Sequence, residues 1–162
     1  MSVVVSDTGP LIALAKIDKL YLLGDMFGEV LIPPAVHREL LAKSGPESAR
    51  LDEALQGFLK SVSAPHVVPE VKLATVRLDC GEREAVALAY ERKGMLVVDE
   101  RLGRMAARGL GLVVTGVIGI LIRAKQSGFE LSVVPLLEEM RQKGYWLSDN
   151  VLAVAAKLAG ET

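Results

Sequence analysis

A chain of 162 residues fits one domain, and its 51% hydrophobic content supports a sizeable core and argues against disorder. Aromatics are only 4%, so the predicted core is aliphatic, as in the buried parallel sheets of α/β proteins. A formal net charge of -1 gives no global pull toward nucleic acid, so any phosphate-binding surface has to be local. The single cysteine, Cys80, excludes an intrachain disulfide and a multi-cysteine zinc site and suits a reducing cytoplasm. The opening residues lack the basic flank of a signal peptide, and the apolar run 110–122 is too short to span a bilayer. The expectation is a soluble, cytoplasmic protein without a membrane partner.

In chain order, Val3-Val4-Val5 reads as a buried strand that stops at Ser6-Asp7-Thr8-Gly9-Pro10, where Thr8 is suited to cap a helix. Two short apolar helices follow, 11–17 and 21–27, broken at Asp18. Residues 29–32 form a second strand closed by Pro33-Pro34, and 35–43 carries apolar residues at helical spacing. A helix is expected over 48–59, then a Pro- and Ser-bearing stretch to 68 with room for an edge strand. Residues 71–79 fit a helical turn or a loop equally. A clear helix runs 82–93, ended by Gly94, and 95–98 is a buried strand. Helix 100–108, strand 112–114, and helices 117–125, 135–143 and 148–158 complete the chain. Strands alternating with helices predict a parallel sheet of four or five strands covered on both faces, a three-layer α/β/α arrangement in one domain over 1–162.

In such a sheet, function gathers beyond the carboxyl ends of the strands. Asp7 follows the first strand directly, and Asp99 and Glu100 follow strand 95–98 in the same way. Singly, each is equally well explained as a turn or capping residue. Two acids at equivalent strand ends are harder to dismiss, because like charges brought together cost stability unless a cation offsets them. Glu39 lies beside the apolar face of its helix, with Lys43 one turn on as an ordinary ion-pair partner. Glu82 sits in the first turn of its helix, where the helix dipole favours an acid; Glu84 and Asp79 compete for that role. Four oxygen donors of this kind match Mg²⁺ or Mn²⁺ better than Zn²⁺. The two histidines, His37 and His66, lack the spacing of a metal pair, and no nucleotide-cradling glycine loop occurs, so no nucleotide cofactor is expected.

The segments around Asp7-Thr8-Gly9-Pro10, Leu31 to Leu40, Gly81 to Ala89 and Leu96 to Leu102 together resemble PIN domains. The stretch 108–116 and the tail 144–149 are similar to a prokaryotic subgroup related to the VapC-type toxins. The resemblance implies a parallel sheet flanked by helices and an acidic cluster binding Mg²⁺ or Mn²⁺ for RNA hydrolysis. Asp7, Glu39 and Asp99 fall on its first, second and last acidic positions. Glu82 fits the third best, with Glu84 the competing alignment, and Thr8 falls where the family often has a small hydroxyl near the metal. The resemblance also implies a toxin–antitoxin role, an antitoxin partner and a homodimer, for which the apolar helices across Leu11–Leu23 are one candidate face. A housekeeping RNA-processing nuclease and a catalytically inactive RNA- or protein-binding module are the alternatives. The triplet Asp7-Thr8-Gly9 also matches retroviral-type aspartyl proteases, but those are all-β; an aspartyl-nucleophile phosphatase would place a second aspartate where Gly9 stands.

RNA must still approach a negative pocket. No carboxylate occurs between Arg101 and Phe129, and Arg101, Arg104 and Arg108 are spaced i, i+3 and i+7 along one helix face. They are candidates to hold phosphates, with a solvated face the plain alternative. Scarce aromatics leave little for base stacking.

Overall fold

The structure is a computed structural model that describes residues 2–162. Five parallel strands form one sheet: β1 (Val4–Ser6), β2 (Val30–Ile32), β3 (Leu59–Ser61), β4 (Met95–Val97) and β5 (Val114–Thr115), in spatial order β3-β2-β1-β4-β5. The chain builds outward from β1 to β2 and β3, then crosses back to add β4 and β5 on the other side. The order therefore reverses between β1 and β4. That reversal leaves a crevice at the carboxyl ends of the two central strands, where connections leave in opposite directions.

Alternate strand residues feed opposite layers, as the two-residue period of a strand requires. Val4, Val30, Ile32 and Val97 face one core. It is filled from α1 (Thr8–Lys16), α2 (Tyr21–Phe27), α3 (Pro34–Ala42), α4 (Ser48–Gln56), α8 (Val117–Gln126), α9 (Val133–Gln142) and α10 (Asp149–Ala159). Val5, Leu31, Leu96 and Val98 face the other, covered by α6 (Cys80–Arg92) and α7 (Arg101–Gly109) with Leu78. A short α5 (Pro69–Ala74) precedes α6. The three-layer α/β/α architecture is thus present, and each fully buried aliphatic side chain contributes roughly 1.5–3 kcal/mol. The run Leu11–Leu23, considered above as a dimer face, is spent on this core: Leu11, Leu14, Leu22 and Leu23 are completely buried.

Several boundaries differ from the sequence expectation, each for a local reason. The helix expected to run to 59 ends at Gln56, because Gly57 leaves helical geometry and Leu59 joins the sheet beside β2. The ambiguous stretch before α6 is helical over Pro69–Ala74, opened by Pro69 in the first turn. The last strand starts later, at Val114, because Gly111 adopts positive φ (81°) and the Leu112 N–H is drawn back to the Ala107 carbonyl. α9 starts two residues early because a distant carboxylate caps it: Glu161 accepts from the Val133 and Val134 N–H groups and from Lys125 Nζ. Thr8 is not the cap of α1; Asp7 occupies that position, without a side-chain capping bond.

Candidate active site

A pocket of about 390 Å³ opens at the carboxyl ends of β1 and β4, lined by Asp7, Thr8, Glu39, Asp79, Glu82, Asp99, Glu100 and Tyr145 among others. A larger cleft of about 720 Å³ lies at the opposite, amino ends of the strands. Its lining includes Lys93 and Arg123 and no carboxylate, so the acid chemistry belongs to the smaller pocket.

Each acid reaches the pocket by a different route. Asp7 is delivered by β1: its N–H still bonds the Val97 carbonyl of the neighbouring strand (2.9 Å), which pins the backbone at the switch point. The residue is buried, and that burial, with Glu39, Asp79 and Asp99 nearby, pushes its carboxyl up to about 6. Asp99 emerges from β4. Its Oδ1 accepts from the Val117 N–H at the start of α8 (3.0 Å), and its Oδ2 accepts from the Tyr145 hydroxyl (2.5 Å). Burial raises the Asp99 carboxyl and these two bonds oppose the rise; the same contact drives the Tyr145 hydroxyl well above its ordinary value, burial being the larger cause. Gly116 makes this approach possible, since a Cβ there would collide with Asp99 Oδ1.

Glu39 projects from α3 over Gly81, where a Cβ would collide with Glu39 Oε1. Lys43, its expected partner one turn on, pairs instead with Glu47 (3.3 Å). Asp79 caps α6, accepting from the Glu82 N–H (2.8 Å), and this sets Glu82 at the pocket wall. Burial, then the adjacent Asp79, pushes the Glu82 carboxyl up to about 8. Its Oε2 is buried without a hydrogen-bond partner, as is Thr8 Oγ1.

Glu84, the rival of Glu82, does not line the pocket. Its Oε1 accepts from the Ala35 N–H (2.9 Å), tying α6 to the start of α3. Glu100 is exposed and stands at the N-terminal position before α7, without a side-chain capping bond, at the pocket rim. Of the three arginines, Arg104 is half-buried and close enough for its charge to lower the carboxyl of Asp99, whereas Arg101 and Arg108 are exposed. None of the three forms an ion pair among the described residues.

Tyr145 and Gly116 are site residues that sequence reasoning missed. Both fall in stretches, 144–149 and 108–116, that carry family likeness but no chemical signal of their own.

As placed, no three His, Cys, Asp or Glu side chains among the described residues stand close enough to hold a metal ion. The donors nevertheless fit one. They are hard oxygens, crowded enough to raise one another's proton affinity, with an unpartnered carboxylate oxygen and hydroxyl oxygen buried at the wall. Asp7, Glu39, Glu82 and Asp99 are the residues that could share a hard divalent cation, with Thr8 and Asp79 beside them. In the metal-free protein at neutral pH, a proton on Glu82 offsets part of that crowding.

A parallel α/β sheet with acids at its switch point defines an open α/β domain with an acidic site. A family model described as PIN domain matches residues 3–161, and the chain belongs to the PIN-domain family. PIN domains are usually nucleases and generally use divalent metal ions. No curated protein matches this chain. No helix among the described residues is long and apolar enough to cross a membrane.

Proposed function

We propose that this protein is an endoribonuclease that requires Mg²⁺ or Mn²⁺, with Asp7, Glu39, Glu82 and Asp99 as its metal-holding and catalytic carboxylates. The observation that carries this reading is the pocket at the β1/β4 switch point, where Asp7 and Glu82 are both pushed up toward neutrality by burial and by other acids. A divalent cation bound there supplies activation of water and offsets the negative charge that grows on the phosphoryl oxygens. The chain's own residues prepare for this. Glu82, raised to about 8, holds a proton near neutral pH and releases it when positive charge enters, whereas Asp7, raised to about 6, is already largely anionic there. Tyr145 and the Val117 N–H hold Asp99 in one orientation, while each of its oxygens keeps a free lone pair. Arg104 places positive charge beside Asp99, where a phosphate of the RNA would be held. Arg101 and Arg108 extend that charge along α7.

We further infer, from the similarity of 108–116 and 144–149 to a subgroup related to the VapC-type toxins, that the biological role is that of a toxin, a cytoplasmic homodimer restrained by an antitoxin protein whose basic side chain complements the acids. Overproduction in growing cells, with and without a co-encoded partner, tests that role.

The activity test uses purified protein on single-stranded and structured RNA with Mg²⁺ or Mn²⁺. Wild type is expected to cleave, and Asp7→Asn and Asp99→Asn to lose cleavage by at least about a hundredfold, as for a preorganised group acting on the transition state. Equal cleavage by all three proteins would place the activity elsewhere. Absence of both cleavage and metal binding would favour an inactive RNA- or protein-binding module.

A further inference from the structure

In the ribonuclease reading the acidic pocket takes a cation and a phosphate, and a single-stranded substrate brings an unpaired base next to that phosphate. Tyr145 cannot move freely to hold that base, because its hydroxyl is engaged by Asp99. The next residue, Trp146, is the only tryptophan in the chain, and it is 81% exposed. Buried tryptophan is a large source of stability, so an indole left in water is one the fold has not used.

The exposure is not that of a loose loop. On one side Tyr145 is fixed twice, by its N–H to the Met140 carbonyl (3.1 Å) and by its hydroxyl to Asp99. On the other side Leu147 is buried in the core, and its carbonyl accepts from Arg141 Nη1 (3.3 Å). Ser148 then caps α10 through the Val151 N–H (3.1 Å). Anchors on both flanks prevent the backbone from folding the indole inward. The ring is held in solvent one residue from a side chain that touches Asp99.

We propose that Trp146 is a stacking platform for an unpaired nucleobase flanking the phosphate held at the acidic pocket. A π face accepts any base, and a rigid platform loses little entropy on stacking; a base in a duplex is already stacked and gains nothing. Trp146 therefore favours single-stranded RNA. The proposal rests on the ribonuclease reading and adds the residue that holds the base.

The sole tryptophan lets the full chain report on itself through intrinsic fluorescence. A short single-stranded RNA with phosphorothioate linkages, added with Mg²⁺, is expected to quench the emission, and the matching duplex to quench it less. In cleavage assays on single-stranded RNA, Trp146→Ala is expected to raise KM at least about fivefold with kcat nearly unchanged, and Trp146→Phe to restore most of the loss. Thermal melts of both variants should match wild type, because the ring is exposed. An active wild type whose KM is unmoved by Trp146→Ala overturns the platform and leaves the nuclease standing. Emission that responds to protein concentration instead of RNA also overturns it, in favour of a contact between copies of the chain. An inactive wild type removes the nuclease reading and this proposal together.

Discussion

Replacing Asp7 by asparagine should stabilise the metal-free protein at neutral pH. The folded protein holds the Asp7 carboxyl up at about 6, against an ordinary aspartate value of 3.8. Below pH 4 the group is protonated whether the chain is folded or not, and it contributes no difference. As the pH rises, the unfolded chain ionises first. The native state then binds the extra proton, so stability falls between about pH 4 and 6 and stays low above that. At about 1.4 kcal/mol per pKa unit, the native state is about 3 kcal/mol less stable at pH 7.5 than an equivalent with a neutral group. The Asp7→Asn change keeps the shape of the side chain and removes its charge. Thermal unfolding in EDTA at pH 4.5 and 7.5 should show the variant's advantage over wild type grow roughly threefold, to a Tm difference of about 6–12 °C at the higher pH for a domain of this size. Added Mn²⁺ should reverse the order, because wild type gains a ligand and the variant does not. A wild type already more stable than the variant at pH 7.5 in EDTA, or a difference unaffected by pH, would refute the raised Asp7 carboxyl.

Two further substitutions separate positioning from folding. Gly116→Ala places a Cβ against Asp99 Oδ1, 3.4 Å from the Val98 carbonyl, and should cut RNA cleavage at least about tenfold while the protein stays folded by circular dichroism. Glu84→Ala should leave the RNA cleavage rate nearly unchanged and cost about 1–2 kcal/mol in urea unfolding, since Glu84 ties α6 to α3 through the Ala35 N–H; Glu82→Gln should show the opposite pattern.

The central site residues were legible because buried parallel strands are nearly continuous apolar runs. Val3-Val4-Val5 and the run 95–98 announce their own ends, so Asp7 and Asp99 could be placed beyond a sheet before any contact was known. β3 takes the edge position for which the stretch to 68 left room, but it starts earlier, because Leu59 continues the apolar pattern of α4 and only pairing with β2 draws it into the sheet. The choice between Glu82 and Glu84 is tertiary in origin. Both stand in the first half of α6, and the free N–H of Ala35 across the helix pair takes one of them away. Tyr145 lies 46 residues from Asp99, beyond any local periodicity. Trp146 illustrates the same limit: composition shows the scarcity of aromatics but not the exposure of this one, next in the chain to Tyr145.

The most direct measurement is an anomalous difference map from a crystal of the protein soaked in Mn²⁺ at neutral pH. The acidic pocket predicts a peak bounded by carboxylate oxygens of Asp7, Glu82 and Asp99, with Glu39 direct or through water, and its loss in Asp7→Asn. Manganese density only at other surfaces, with the switch-point pocket vacant at millimolar Mn²⁺, would contradict it.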